Sequence, residues 1–218
     1  MQACIVGHGP SMLTKQQGFK INQHDKVVRL KDSKNLVLRP EYFGSKTDIV
    51  CGSLVVGARL TGEWSDEYWL FVDTRTAHIP QSELDEVIKK FLPNQCHIDR
   101  YTCLYWVEQY KRIRNKIKLD RRQELKGPLS DEKGHLHCSA GMFSIIYALS
   151  HLKPDELVLY GFDNIYNGTF NWSVTRGMEW RKYPDHNWQA ESRMIYDVCK
   201  HYGYELKKQD GLICISAT

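Results

Sequence analysis

A few residues in this chain have the types and spacing for chemistry on a hydroxyl and a phosphate. His186 and Glu191 stand at the head of an amphipathic stretch, HNWQAE. An imidazole there suits a general base: its pKa lies near neutrality, and a helix N-terminus favours the neutral form that a base must have. The same histidine serves equally as a structural residue, and Glu191 as a stabiliser of the first helical turns. Gly7-His8-Gly9-Pro10-Ser11 follows a short apolar run, Ala3 to Val6. Its glycines let the backbone turn sharply and approach a ligand, although an ordinary tight turn uses glycine in the same way. The third glycine of the dinucleotide fingerprint is missing. Ser139-Ala140-Gly141 opens a strongly apolar stretch. There a helix N-terminus would offer free amides to a phosphate or carboxylate, or Ser139 is a cap followed by small residues. Arg29 ends a second short strand, Lys26 to Arg29, so amides and a cation meet at two strand ends. Open α/β sheets bind ligands at such ends.

The elements that position these residues follow from periodicity. Ala3–Val6, Asp48–Cys51, Tyr68–Val72 and Leu157–Tyr160 are short apolar runs of the kind buried in parallel sheets. Helices are predicted over 82–91, 103–117, 142–152 and 186–201, the last with Met194, Ile195, Val198 and Cys199 on one stripe. Tyr204–Leu206 and Leu212–Ile215 close the chain as strands. Strands and helices alternate, which predicts one α/β domain over residues 1–218, with a mainly parallel, Rossmann-like sheet flanked by helices.

Composition sets the bounds. The 218 residues are 42% hydrophobic, with a net charge of +4. Mean hydropathy is −0.50. No run approaches the ~20 apolar residues of a membrane span. The N-terminus shows no signal-peptide pattern, and the seven cysteines include no Cys-x-x-Cys pair. They read as reduced thiols in a cytoplasmic protein. No Asp-x-Asp occurs, and the His and Cys residues lack zinc-ligand spacing, so no metal site is expected. Lys111 to Lys126 carries eight cations against two acids. That run is either a solvated helix face and loop or a phosphate-contacting surface.

Taken together, these stretches resemble the animal-type sialyltransferase family of glycosyltransferases. The long motif is visible as Cys4-Ile-Val-Gly-His-Gly9, Gly18, Ile21, His24-Asp25, Val28-Arg29 and Gly44-Ser-Lys-Thr47. The short motif resembles Ser139-Ala-Gly141 with Leu159-Tyr-Gly-Phe162, and the last motif, His, four residues, Glu, is His186 to Glu191. Gly9-Pro10-Ser11 is also similar to the Asn-Gly-Pro-Ser turn of bacterial sialyltransferases. The resemblance implies a sialyltransferase-like variant of the GT-A fold, a nucleotide-sugar donor with no further cofactor, inversion at the anomeric carbon and no metal. His186 would be the base, with Glu191 beside it. Gly7 to Ser11 and Ser139 to Gly141 would hold the nucleotide. Two positions depart from the family. His8 replaces an asparagine of the first turn, and Lys31 replaces an asparagine two residues after Arg29. Both add charge where the donor phosphate would lie, so His8, Arg29 and Lys31 are expected at a diphosphate.

The donor is therefore expected to be a UDP-sugar or CMP-sialic acid. The acceptor is expected to be a glycan or a hydroxymethylated base in DNA, as in phages that glycosylate their DNA. The second acceptor would use Arg121 and Arg122 for the backbone and Trp172 and Trp180 to stack an extruded base. The compartment would be the cytoplasm of a bacterium or a phage-infected host. The reading from another class is a nucleotide- or nucleic-acid-binding module that has lost catalysis; retention of both His186 and Glu191 argues against it.

Overall fold

The computed structural model describes residues 1–30, 39–54, 65, 67–73, 76–90, 96–120, 138–167 and 188–218. Among the described residues eight strands form one sheet: β1 (Gln2–Val6), β2 (Lys26–Leu30), β3 (Ile49–Ser53), β4 (Glu67–Phe71), β5 (Cys96–His97), β6 (Glu156–Tyr160), β7 (Tyr204–Gln209) and β8 (Leu212–Ala217). Their order is β5-β4-β3-β2-β1-β6-β8-β7. The strands from β5 to β6 run parallel, and β8 and β7 add antiparallel at one edge. The α/β class and the mainly parallel sheet are as the alternation of elements predicts.

The continuous apolar runs exist because both faces of the parallel strands are covered. Ala3, Ile5, Val28, Ile49, Trp69, Leu157 and Leu159 face one side and pack in the main core. That core also takes residues from four helices: α4 (Arg100–Asp120), α5 (Ala140–Tyr147), α6 (Asp163–Asn167) and α7 (Trp188–Tyr202). Cys4, Val6, Val27, Val158 and Tyr160 face the other side, against Met12, Ile21 and Phe43. Those three come from a 3₁₀ turn (Pro10–Leu13), α1 (Gly18–Asn22) and α2 (Pro40–Phe43). Leu84 of α3 (Gln81–Lys90) covers Val50, Tyr68 and Leu70 further along that side. The helix α6 (Asp163–Asn167) follows β6. The β7–β8 hairpin turns through Asp210 and Gly211, both at positive φ (53° and 82°), the pairing that matches strand twist. No helix among the described residues is long and apolar enough to cross a membrane.

The long-motif residues form one hydrogen-bonded knot. Arg29 is fully buried. Its Nη2 donates to the carbonyls of Phe43 (2.8 Å), Lys46 (2.9 Å) and Gly44 (3.1 Å), and its Nε to the Thr47 hydroxyl (2.9 Å). Lys46 Nζ donates to the carbonyls of His24 and Asp25. Asn22 Oδ1 accepts from the amides of Ser45 and Lys46. Gly44 sits at φ 68°, and a Cβ there would meet that same Asn22 oxygen at 2.6 Å. This corrects the expectation of Arg29 as an open cation at the strand end. Val27 and Arg29 share a face of β2, and that face looks into the layer of α1 and α2. Burial lowers the Arg29 pKa to about 10, which still leaves it charged at neutral pH. Nη1 is buried without a hydrogen-bond partner among the described residues.

One ammonium cannot satisfy three carbonyls and a hydroxyl held in the geometry of a planar fork. Arg29→Lys is therefore expected to destabilise the fold by about 1–3 kcal/mol, read as a lower urea midpoint.

Candidate active site

The strand order reverses at β1, which has β2 on one side and β6 on the other. Successive strands wind away from this point on opposite sides and leave a crevice above their C-terminal ends. The ends are Val6 and Tyr160, which are paired in register. Gly7 to Ser11 leave the first, and Gly161 to Asp163 leave the second.

The structure joins these two segments. Gly7 N donates to the Tyr160 carbonyl (2.7 Å) and Gly9 N to the Gly161 carbonyl (2.9 Å). Ser11 N donates to Asp163 Oδ2 (3.2 Å). Pro10 has no N–H and starts the 3₁₀ turn. The expectation that this turn offers its amides to a nucleotide is corrected for Gly7, Gly9 and Ser11, whose N–H groups go to the protein's own acceptors. Its glycines are also accounted for by close packing. A Cβ at Gly7 would lie 2.7 Å from the Gly161 carbonyl, and one at Gly9 would lie 1.8 Å from Asp163 Oδ2. His8 is half-buried in the same turn.

The start of α5 comes to the same crevice. Ser139 is its N-cap and accepts from Met142 N through Oγ (3.2 Å). Phe143 N reaches the Ser139 carbonyl (3.1 Å). Helix geometry leaves the N–H groups of Ala140 and Gly141 without intrahelical acceptors. They sit at the positive end of a buried helix, where an anion is favoured. A Cβ at Gly141 would meet the ring of Phe162 at 2.9 Å, and one at Gly7 would meet that ring at 3.0 Å. Phe162 thus lies against both glycines.

Glu191 fixes the first turn of α7 to this point. It is fully buried. Its Oε1 accepts from Ser139 N (2.6 Å), and its Oε2 pairs with Ser139 Oγ (2.8 Å). Burial raises its pKa from an ordinary 4.5 to about 7, against the opposing pull of the two Ser139 hydrogen bonds. The Ser139 hydroxyl donates that 2.8 Å bond. Glu191 was expected beside His186 as part of the catalytic pair. It has no exposed atom, and both of its oxygens are on Ser139. Burial also pushes the neighbouring Cys138 thiol well above its ordinary value, so it stays protonated and is no nucleophile.

Two acids at strand ends carry no assignment from the sequence. Asp163 is buried beside Gly9, and Asp73, just beyond β4, is fully buried with its N–H on the Thr76 hydroxyl (2.9 Å). The available signal was position: each stands just past a predicted parallel strand, on the ligand side of the sheet. His186, Lys31, Arg121, Arg122, Trp172 and Trp180 lie outside the described residues. His186 stands two residues before Trp188 in the sequence, where α7 begins.

No protein-family model matches the chain, and no curated protein gives a significant match. Solved structures do. The chain is similar over 91% of its length to a crystal structure of a mammalian sialyltransferase, with 18% identity and a TM-score of 0.47. It is similar to the same extent to a mammalian sialyltransferase in complex with Gal-beta-1-3GalNAc-ortho-nitrophenol, with 17% identity and a TM-score of 0.48. The likeness is of the fold alone. The chain spans 66% of the length of each.

The pKa of Glu191 makes stability depend on pH with a definite sign. A carboxyl whose folded value is raised is bound to its proton more firmly in the folded state. Its contribution is complete below 4.5 and is lost as pH rises to about 7, with a slope of up to about 1.4 kcal/mol per pH unit. Glu191→Gln removes this group's share of the slope, as urea titrations at a series of pH values will show. Glu191→Ala leaves Ser139 N unpaired and is expected to cost about 1–3 kcal/mol below pH 4.5, and less as pH rises towards 7.

Proposed function

We propose that the protein is an inverting glycosyltransferase that moves a sugar from a nucleotide-sugar donor to a hydroxyl acceptor, with His186 as general base. The observation that carries this reading is the Glu191–Ser139 contact. It fastens the head of α7 to the N-terminus of α5 beside the crevice between β1 and β6. A base just before α7 and an anion site at the start of α5 then serve one reaction centre.

In that reaction His186 takes the proton of the acceptor hydroxyl. The oxygen forms its bond to the anomeric carbon from the face opposite the donor phosphate. The bond from that carbon to the phosphate oxygen breaks, and the electron pair leaves with the nucleotide. The amides of Ala140 and Gly141 and the α5 dipole face the charge that develops there, and a fixed dipole does this without reorganisation. Holding hydroxyl and donor in line supplies much of the remaining acceleration. The motif set and its order support the same reading independently of the geometry.

The acceptor is read as a glycan hydroxyl. The alternative, a hydroxymethylated base in DNA, rests on the basic run, and the described part of that run does not form one cationic face. Arg114 is buried, Lys111 pairs with Glu108 along the helix, and Arg112 and Lys116 are exposed. Incubation of both acceptor types with a panel of sugar nucleotides distinguishes them by mass gain.

Three outcomes are expected. His186→Ala should lower turnover by ~10²–10⁴ while nucleotide binding persists; normal turnover in that variant rejects the mechanism. Initial rates at a temperature where the fold is secure should be the same with and without EDTA. UDP should raise the melting temperature more than UMP or CMP do, because Lys31 and His8 add charge suited to a second phosphate, and a ligand that binds only the folded state stabilises it. A larger shift with CMP would assign the donor to CMP-sialic acid instead.

A further inference from the structure

At the other end of α5, far from the crevice, three side chains converge. The helix runs from Ala140 into a π-helical turn, Ala148–Leu152, closed by Lys153 N on the Ala148 carbonyl (3.0 Å). His151 lies in that turn, about 16 Å along the axis from the start of the helix at 1.5 Å per residue. His97 is the second residue of β5, and Asp99 follows just before α4. His97 Nε2 and His151 Nε2 are 2.8 Å apart. Asp99 Oδ2 is 3.6 Å from His151 Nε2. All three ligand atoms fall within 4.8 Å of one another.

We propose that His97, Asp99 and His151 form a binding site for a divalent transition metal of the zinc class, which fastens the β5–α4 junction to the C-terminal end of α5. Two imidazole nitrogens and one carboxylate oxygen are a donor set that such ions take, with water in the fourth position. His97 is half-buried and His151 is exposed, so the ion and its water have a path in. The supporting contacts are in place. Asp99 Oδ1 accepts from Thr102 N (2.9 Å), which turns Oδ2 toward His151. The His97 ring packs edge-on against Tyr147 (75° between planes), and Tyr147 is itself held by its hydroxyl on the Leu70 carbonyl (3.0 Å). Outer contacts of this kind fix ligand orientation. Burial and the neighbouring His97 lower the His151 pKa, consistent with the neutral ring that a metal ligand must be. For both lone pairs to face an ion, each ring carries its proton on Nδ1. The competing arrangement is a plain hydrogen bond between the two rings, in which one Nε2 keeps its proton.

The site is separate from the proposed reaction, so its readout is spectroscopy and stability rather than turnover. Full-length protein stripped with a chelator is titrated with Co(II). A 1:1 complex with the visible absorption of a low-coordinate ion is expected, displaced by Zn(II). Zn(II) should also raise the melting temperature, and EDTA should reverse this. Asp99→Asn keeps the contact to Thr102 and should weaken Zn(II) about 10–100-fold; His97→Ala and His151→Ala should weaken it by more than that. X-ray absorption of the wild-type zinc form needs no variant to fold: it should show imidazole and oxygen neighbours. A thiolate in that shell, Zn(II) affinity unchanged in both histidine variants, or no uptake of Co(II) and Zn(II) by the wild-type chain would each overturn the proposal.

Discussion

Glu191 has no water to turn to. A carboxyl at the centre of the fold must be paired or neutral, and the structure provides for both with one residue, Ser139, which gives its N–H and its hydroxyl. Much of the candidate site depends on this. The contact takes one of the orphan amides at the start of α5 and leaves those of Ala140 and Gly141. It also holds the first turn of α7 against the start of α5. The long interior of α7 then follows into the main core through Met194, Ile195 and Val198.

The crevice between β1 and β6 is a more economical construction than its residue types suggest. The first turn and the segment after β6 are stitched to each other through Tyr160, Gly161 and Asp163. The long-motif residues around Arg29 are stitched to the loop after α2. The amides of Ala140 and Gly141, at the head of α5, have no acceptor within their own helix.

The fold was legible where physics leaves a pattern. β1, β3, β4 and β6 are covered on both faces, so each reads as an unbroken apolar run. The stripe Met194, Ile195, Val198 and Cys199 marks α7 for the opposite reason, because one face of it is exposed. β5 is two residues long and leaves no period to find, and α1 opens on a glycine that no propensity favours. The site was legible in its residue types but not in their directions. With both faces of β2 buried, alternation along Val27, Val28 and Arg29 gives no clue that the guanidinium points away from solvent. Likewise Glu191 and Ser139 could each be seen as helix-end residues, while their meeting across 52 positions is a product of tertiary packing. His97 and His151 are 54 positions apart, far beyond any local ligand spacing.

Phe162 carries a consequence for how this chain can vary. Its ring touches the places where Gly7 and Gly141 would bear a side chain, so three positions on three different segments share a single volume. A larger residue at 141 is blocked until 162 becomes smaller, and a smaller residue at 162 opens a void until 141 grows; at 7 the Gly161 carbonyl, 2.7 Å from a Cβ, blocks a side chain whatever stands at 162. Changes at these positions are coupled rather than additive. The order in which substitutions arrive therefore decides whether they are tolerated, and related chains should differ here in matched sets.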